Sequence, residues 1–180
     1  SLGYSYSKRL AEIQIRTYRE QYGVNYVSIV PCNIYGPGDN FRIDEGHVVP
    51  SLVHKCYLAK KNNTPLKVWG TGKPQRELLY SQDAGDISMW ALNNYDSPEP
   101  LITSTSTEYS IKELVETIVD VMDFKGDILW ETDKTDGQFR KPSDNTKFTE
   151  LNPDFKYTPL REGVEKTVEW FIKNYDYARK

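Results

Sequence analysis

The 180-residue sequence predicts an α/β fold, and three observations carry the prediction. Segments with helical spacing of apolar residues alternate with short β-rich runs along the chain, the order that builds layered α/β domains. At residues 9–31 a helical stretch, a glycine and a β-rich run stopped by proline follow one another, as in the second half of a βαβ unit. Directly after that strand comes Asn33-Ile34-Tyr35-Gly36-Pro37-Gly38-Asp39-Asn40, a turn-rich segment. Ligands of open α/β sheets bind beyond the carboxyl ends of the strands, so this segment stands where a site is expected.

Each element has a local cause. The first helix, 9–22, ends at Gly23, a residue free to take the left-handed C′ conformation. Residues 24–30 read Val-Asn-Tyr-Val-Ser-Ile-Val, a strand closed by Pro31. A helix is expected over 49–61. Two short strands, 66–69 and 77–80, flank Gly70-Thr71-Gly72-Lys73-Pro74, and a helix over 82–94 and a strand over 101–103 follow. Ser110 with Glu113 three residues on forms a capping box ahead of Leu114, Ile118 and Val121. A weak strand covers 127–130, and 131–147 reads as polar loop. Thr158-Pro159 is expected to be an N-cap with proline at N1, opening a last helix through Val164, Val168 and Phe171. No internal repeat or low-complexity segment is present.

Composition narrows the function classes. A net charge of −3 with scattered basic residues gives no electrostatic case for nucleic acid. No apolar run approaches a membrane span, and no signal peptide is visible. Cys32 and Cys56 are the two cysteines, which suggests reduced thiols and a cytoplasmic setting. With two histidines and two cysteines, badly spaced, no zinc site is expected. There is no Gly-x-Ser-x-Gly hydrolase elbow. Thirteen tyrosines and four tryptophans suit a site that packs rings against a sugar or a base.

The pattern with the most chemistry is Gly3-Tyr-Ser-Tyr-Ser-Lys8, with Tyr4 and Lys8 four residues apart on one helix face. An ammonium beside a phenol favours phenolate, and such a tyrosine can give or take a proton at a carbonyl or alcohol carbon. Three further motifs join it. They are Pro31-Cys-Asn-Ile-Tyr-Gly-Pro-Gly-Asp-Asn-Phe41 with Gly46-His-Val-Val-Pro50; Trp69-Gly-Thr-Gly-Lys-Pro-Gln-Arg76-Glu77; and Thr135-Asp136-Gly-Gln-Phe-Arg-Lys141. In these motifs, spread over most of the chain, the sequence resembles the GDP-L-fucose synthases of the extended short-chain dehydrogenase/reductase family.

The resemblance implies an incomplete Rossmann fold, doubly wound, NAD(P)-binding and lacking its N-terminal strands, with a smaller α/β substrate-binding domain. Residues 1–32 and 82–104 would be the C-terminal part of the dinucleotide domain; 33–81 and 105–180 would hold the nucleotide sugar. The implied reaction is 3,5-epimerisation of GDP-4-keto-6-deoxy-D-mannose followed by NADPH-dependent 4-reduction. Tyr4 would donate a proton to the C4 oxygen, Lys8 would hold the nicotinamide ribose, and His47 would act as acid in the epimerisation. Pro31, Cys32, Asn33 and Ile34 would line the nicotinamide end of NADP together with Tyr4, Lys8 and His47. Lys55, Trp69, Arg76, Asp136 and Lys141 would contact the GDP-sugar: Arg76 by gripping the diphosphate, Trp69 by its ring face, Asp136 by accepting from guanine. The family's glycine-rich phosphate loop, active-site serine and epimerisation cysteine have no counterpart here, so the chain reads as the C-terminal part of the enzyme, its N-terminal half missing and the remainder inactive and prone to associate. The resemblance also implies a homodimer through the helix 4–22.

Blander readings stand beside these: a surface tyrosine and lysine, a core tryptophan, a salt-bridged Arg76, an ordinary asparagine turn at Asn33. His54, inside a helix, reads as structural, and Arg140 as a loop residue in solvent. Rival functions are a nucleotide-sugar 4-epimerase or 4,6-dehydratase, and a non-catalytic module that holds GDP.

Overall fold

The computed structural model describes residues 2–180. Helix α1 (Leu2–Tyr22) ends at Gly23, whose φ of +65° is the left-handed C′ conformation that its lack of a Cβ permits. One residue of α1, Glu12, is buried, and it is paired with Arg9 and Arg16. Leu2, Tyr4, Tyr6, Leu10, Ile13, Tyr18 and Tyr22 face outward.

Strand β1 (Ile29–Val30) runs parallel to β5 (Leu101–Ile102). The strand expected over 24–30 is therefore only its last two residues. Extended backbone becomes a strand only where a neighbour pairs with it, and the ladder with β5 begins at Ile29, the Leu101 N–H reaching back only to the Ser28 carbonyl at 2.9 Å. The turn-rich reading of Asn33 to Tyr35 is corrected as well. These residues form β2 (Asn33–Tyr35), parallel to β4 (Gln75–Tyr80), which also pairs antiparallel with β6 (Glu108–Ser110). Helix α2 (Val48–Asn62) separates β2 from β3 (Leu66–Trp69). The two strands either side of the Gly70 turn do not pair with each other: β3 lies parallel to β7 (Ile128–Glu131).

Helix α3 (Ser81–Asn94) follows β4 directly. Helix α4 (Ile111–Val121) opens with the expected capping box: the Glu113 N–H donates to Ser110 Oγ at 3.1 Å and the Ser110 N–H to Glu113 Oε2 at 2.7 Å. Two elements had no signal strong enough to read, β6 and the short α5 (Thr146–Leu151). The last helix, α6 (Leu160–Lys173), has Pro159 at its N-cap. Thr158 does not cap it. Both its N–H and its hydroxyl donate to the buried Asp83 carboxylate, each at 2.7 Å, because a buried carboxylate holds whatever donors satisfy it.

Two cores result. The larger packs α2, α4 and α6 on β3 and β4, with Phe41, Leu66, Ile118, Val164 and Phe171 at its centre. The smaller gathers Leu79, Ile87, Ala91, Leu101 and Phe148, with Ile29 and Cys32 against it. Residues 148–157 thus pack beside the β1–β5 pair: Phe148, Phe155 and Tyr157 share ring contacts there. The segment between β2 and α2 crosses the larger core and carries the site.

Candidate active site

Beyond the carboxyl end of β2 the chain turns through residues 36–47 to reach α2, whose N-cap is His47. The loop is short of slack. A Cβ on Gly46 would lie 2.5 Å from the carbonyl oxygens of both Asn40 and Arg42, so only glycine fits between them. His47 itself is exposed.

Two contiguous cavities open here. The first, about 250 Å³, is lined by Asn33, Ile34, Gly46, His47 and Arg76 among others. The second, about 290 Å³, is lined by Asp44, Lys55, Trp69, Arg76, Ile111 and Asp136. Gly46, Val48 and Arg76 belong to both walls, so the two form one groove with Arg76 at its waist.

The groove is cationic at its centre. Arg76 donates from Nη1 to the Gln75 carbonyl at 2.6 Å, and among the described residues no carboxylate forms an ion pair with it. The Lys55 ammonium sits 4.2 Å from the centre of the Trp69 ring, a cation–π contact. Burial pulls the Lys55 ammonium below its ordinary value, with Glu131 and Asp44 opposing the shift. Trp69 is 51% exposed, which leaves part of it open to a ligand.

Asp136 is held by Thr71. The Thr71 N–H donates to Oδ1 and the Thr71 hydroxyl to Oδ2, each at 2.7 Å. These donors, the backbone one first, hold its carboxyl below the usual carboxylate range. The turn beneath takes Gly70 to a φ of +83°, and a Cβ there would run into the same carboxylate. Asp136 therefore clamps the turn after Trp69. A carboxylate has about four acceptor positions, so capacity remains for a ligand in the second cavity.

Of the residues singled out from sequence, the fold brings Asn33, Ile34, His47, Lys55, Trp69, Arg76 and Asp136 to this groove. Tyr4 and Lys8 line neither cavity. They stand exposed on α1, with the ammonium 5.5 Å from the phenol ring centre. Pro31 and Cys32 are half-buried and also outside both cavities; burial pushes the Cys32 thiol up. Lys141 is exposed and lines neither. His54 is buried, its Nδ1 2.8 Å from the Phe41 carbonyl oxygen. Arg140 is paired with Glu108 rather than free in solvent. Sequence reading missed Thr71, although it lies between two glycines within a motif already singled out, and Ile111, at the start of the capped helix. Among the described residues no cluster of His, Cys, Asp and Glu could hold a metal ion, and no helix is long and apolar enough to cross a membrane.

Comparison with known proteins adds independent findings. The GDP-L-fucose synthase of Dictyostelium discoideum is 44% identical over 180 residues, which are 99% of this chain and 56% of that protein. The GDP-L-fucose synthase of Escherichia coli is 33% identical over 95% of this chain and 56% of its own length. A crystal structure of a GDP-L-fucose synthetase from Naegleria fowleri bound to NADP superposes with a TM-score of 0.94 at 42% identity, covering 98% of this chain and 57% of that one. The chain thus spans a little over half the length of these relatives. Residues 1–104 match the NAD dependent epimerase/dehydratase family. By that match and by the fold it shares with these relatives, the chain belongs to the NAD dependent epimerase/dehydratase family.

Proposed function

We propose that this chain forms the nucleotide-sugar side of an enzyme that converts GDP-4-keto-6-deoxy-D-mannose to GDP-L-fucose by 3,5-epimerisation and 4-reduction with NADPH. One observation carries the reading: an arginine with no carboxylate partner among the described residues sits at the waist of a groove that has an open indole face and a lysine on one side and His47 on the other. A diphosphate needs the cation, a base needs the ring and a hexose needs the polar end. The GDP-L-fucose synthases among its relatives support the same assignment.

In this reading Arg76 grips the diphosphate with its planar fork, and Lys55 leaves the Trp69 ring to meet it. Asp136 accepts from guanine while Thr71 holds its orientation, and Lys141 approaches from the loop. Carbons beside a ketone are acidic, so epimerisation needs one group to remove a proton and another to return it; His47 is the returning acid. Cys32 is not given the base role: it lines neither cavity, and burial makes its thiolate harder to form. NADPH supplies the hydride to C4, and Tyr4, supported by Lys8, gives the proton to the C4 oxygen. Asn33 and Ile34 border the first cavity and suit the nicotinamide end, with Pro31 and Cys32 just behind them. No Gly-x-x-Gly-x-x-Gly occurs in the 180 residues, so they do not themselves cradle the cofactor phosphates.

The division into a dinucleotide part (1–32 and 82–104) and a substrate part (33–81 and 105–180) belongs to the same proposal, with 148–157 leaning on the first. So does homodimerisation through 4–22, for which the outward apolar stripe of α1 speaks. Two unpaired cysteines favour a cytoplasmic setting. A second reading, a module that binds GDP without catalysis, is favoured by one observation: Tyr4 and Lys8 line neither cavity.

Calorimetry with GDP, UDP and NADPH on the 180-residue chain, with an assay of NADPH oxidation on the keto sugar, tests the proposal. GDP should bind more tightly than UDP, NADPH should not bind measurably, and turnover should be negligible. UDP binding as tight as GDP overturns the nucleotide assignment; measurable turnover overturns the inactivity of the chain by itself.

A further inference from the structure

His54 is one of the chain's two histidines and enters no step above. It lies two turns after His47 in α2, 8% exposed, between the rings of Phe171 and Tyr175, with centroids 5.4 and 6.0 Å away. Its Nδ1 is 2.8 Å from the Phe41 carbonyl oxygen. A carbonyl can only accept, so this nitrogen carries a proton and donates it.

Phe41 is 0% exposed and held from several sides. Its N–H donates to the Arg179 carbonyl at 2.7 Å, and its ring stacks on Phe171 at 4.4 Å and Trp170 at 5.9 Å. The His54 bond is the tie that runs to the helix bearing His47. From Phe41 the constraint passes along backbone. The Gly46 N–H donates to the Arg42 carbonyl at 2.8 Å, and the carbonyls of Asn40 and Arg42 close off the space where a Gly46 Cβ would stand. The residues flanking Phe41 thus press on the residue before His47. Where the Phe41 peptide is held decides how the chain enters α2 and presents the imidazole.

We infer that His54 is a positioning residue: its Nδ1–H holds the Phe41 carbonyl and so fixes the 40–46 loop that delivers His47 to the first cavity. The value of this for catalysis rests on the proposed role of His47; the mechanical linkage does not. Removing the donor leaves a buried carbonyl unpaired, and the loop must open to water to satisfy it.

The test compares the full chain with His54→Leu, which keeps apolar bulk and loses the donor, and His54→Asn, whose amide N–H₂ reaches the place of Nδ1. Amide hydrogen exchange is read at residues 40–47, with the His47 imidazole NMR signal as a second readout. In His54→Leu, exchange in 40–47 should rise about tenfold relative to α4 and the His47 signal should shift, while His54→Asn returns both towards the unaltered chain. Loop exchange within about twofold of the unaltered chain in His54→Leu overturns the inference. So does a rise of equal size throughout α4 and α6, or an asparagine variant that restores nothing. Titrating GDP into the same samples separates this inference from the proposed function: an unaltered chain that fails to bind GDP sinks the latter and leaves the exchange result standing.

Discussion

Replacing Arg76 by glutamine removes the charge at the waist of the groove and shortens the side chain while keeping an N–H donor. Arg76 is partly exposed, donates to the Gln75 carbonyl and has no carboxylate partner among the described residues, so its remaining N–H groups are available to an anion. A hydrogen bond to a charged group contributes about 1.5–3 kcal/mol when well enclosed. Two such bonds to a diphosphate, discounted for solvent screening at a half-exposed side chain, leave about 2 kcal/mol, or roughly a 30-fold rise in the Kd for GDP. Arg76→Lys keeps the charge and loses the fork, for a rise of about five- to tenfold. Isothermal titration at 25 °C reads the effect, repeated at about 0.5 M salt, where the gap should narrow because screening weakens exposed electrostatics. Guanosine, which lacks the diphosphate, should bind all three proteins alike. A Kd for GDP within about twofold of the unaltered chain, with melting curves superposed, refutes Arg76 as a phosphate ligand and with it the polarity assigned to the groove.

Two further predictions concern groups that burial controls. The Cys56 thiol, pushed up to about 11 by burial, should resist alkylation in the native chain at pH 8 and react promptly in denaturant; rapid native labelling, read by mass spectrometry, would contradict its place in the core. Burial lowers the His54 pKa from its ordinary 6.5, against a smaller upward pull from the Phe41 carbonyl. The unfolded chain then binds the proton first as pH falls, so the contribution of His54 to stability is complete above about pH 6.5 and is lost below it, towards the folded value. Urea midpoints between pH 5 and 8 should decline on the acid side less steeply for His54→Asn than for the unaltered chain; equal slopes would refute the burial argument.

Patterns set within a few residues were legible in the amino-acid sequence alone. Gly23 ends α1, Ser110 and Glu113 cap α4, and the apolar spacing of 49–61 and 82–94 marks α2 and α3, because the donors, acceptors and faces involved lie within one or two turns of each other. The spacing of Tyr4 and Lys8 and the glycines around Thr71 were readable for the same reason. Tertiary structure alone decided what depends on partners far along the chain. Which part of the 24–30 run becomes a strand was settled by the pairing with β5, and Asn33 to Tyr35 became a strand because β4 lies alongside. Thr158 went to Asp83 instead of its own helix, 75 residues away in sequence, because a buried carboxylate needs donors more than an exposed helix end does. The same holds for the groove. Arg76, Trp69, Lys55 and His47 were visible as separate residues, but their meeting in one cleft follows from the pairing of β2 with β4 and the packing of α2 against β3, an arrangement that no local pattern records.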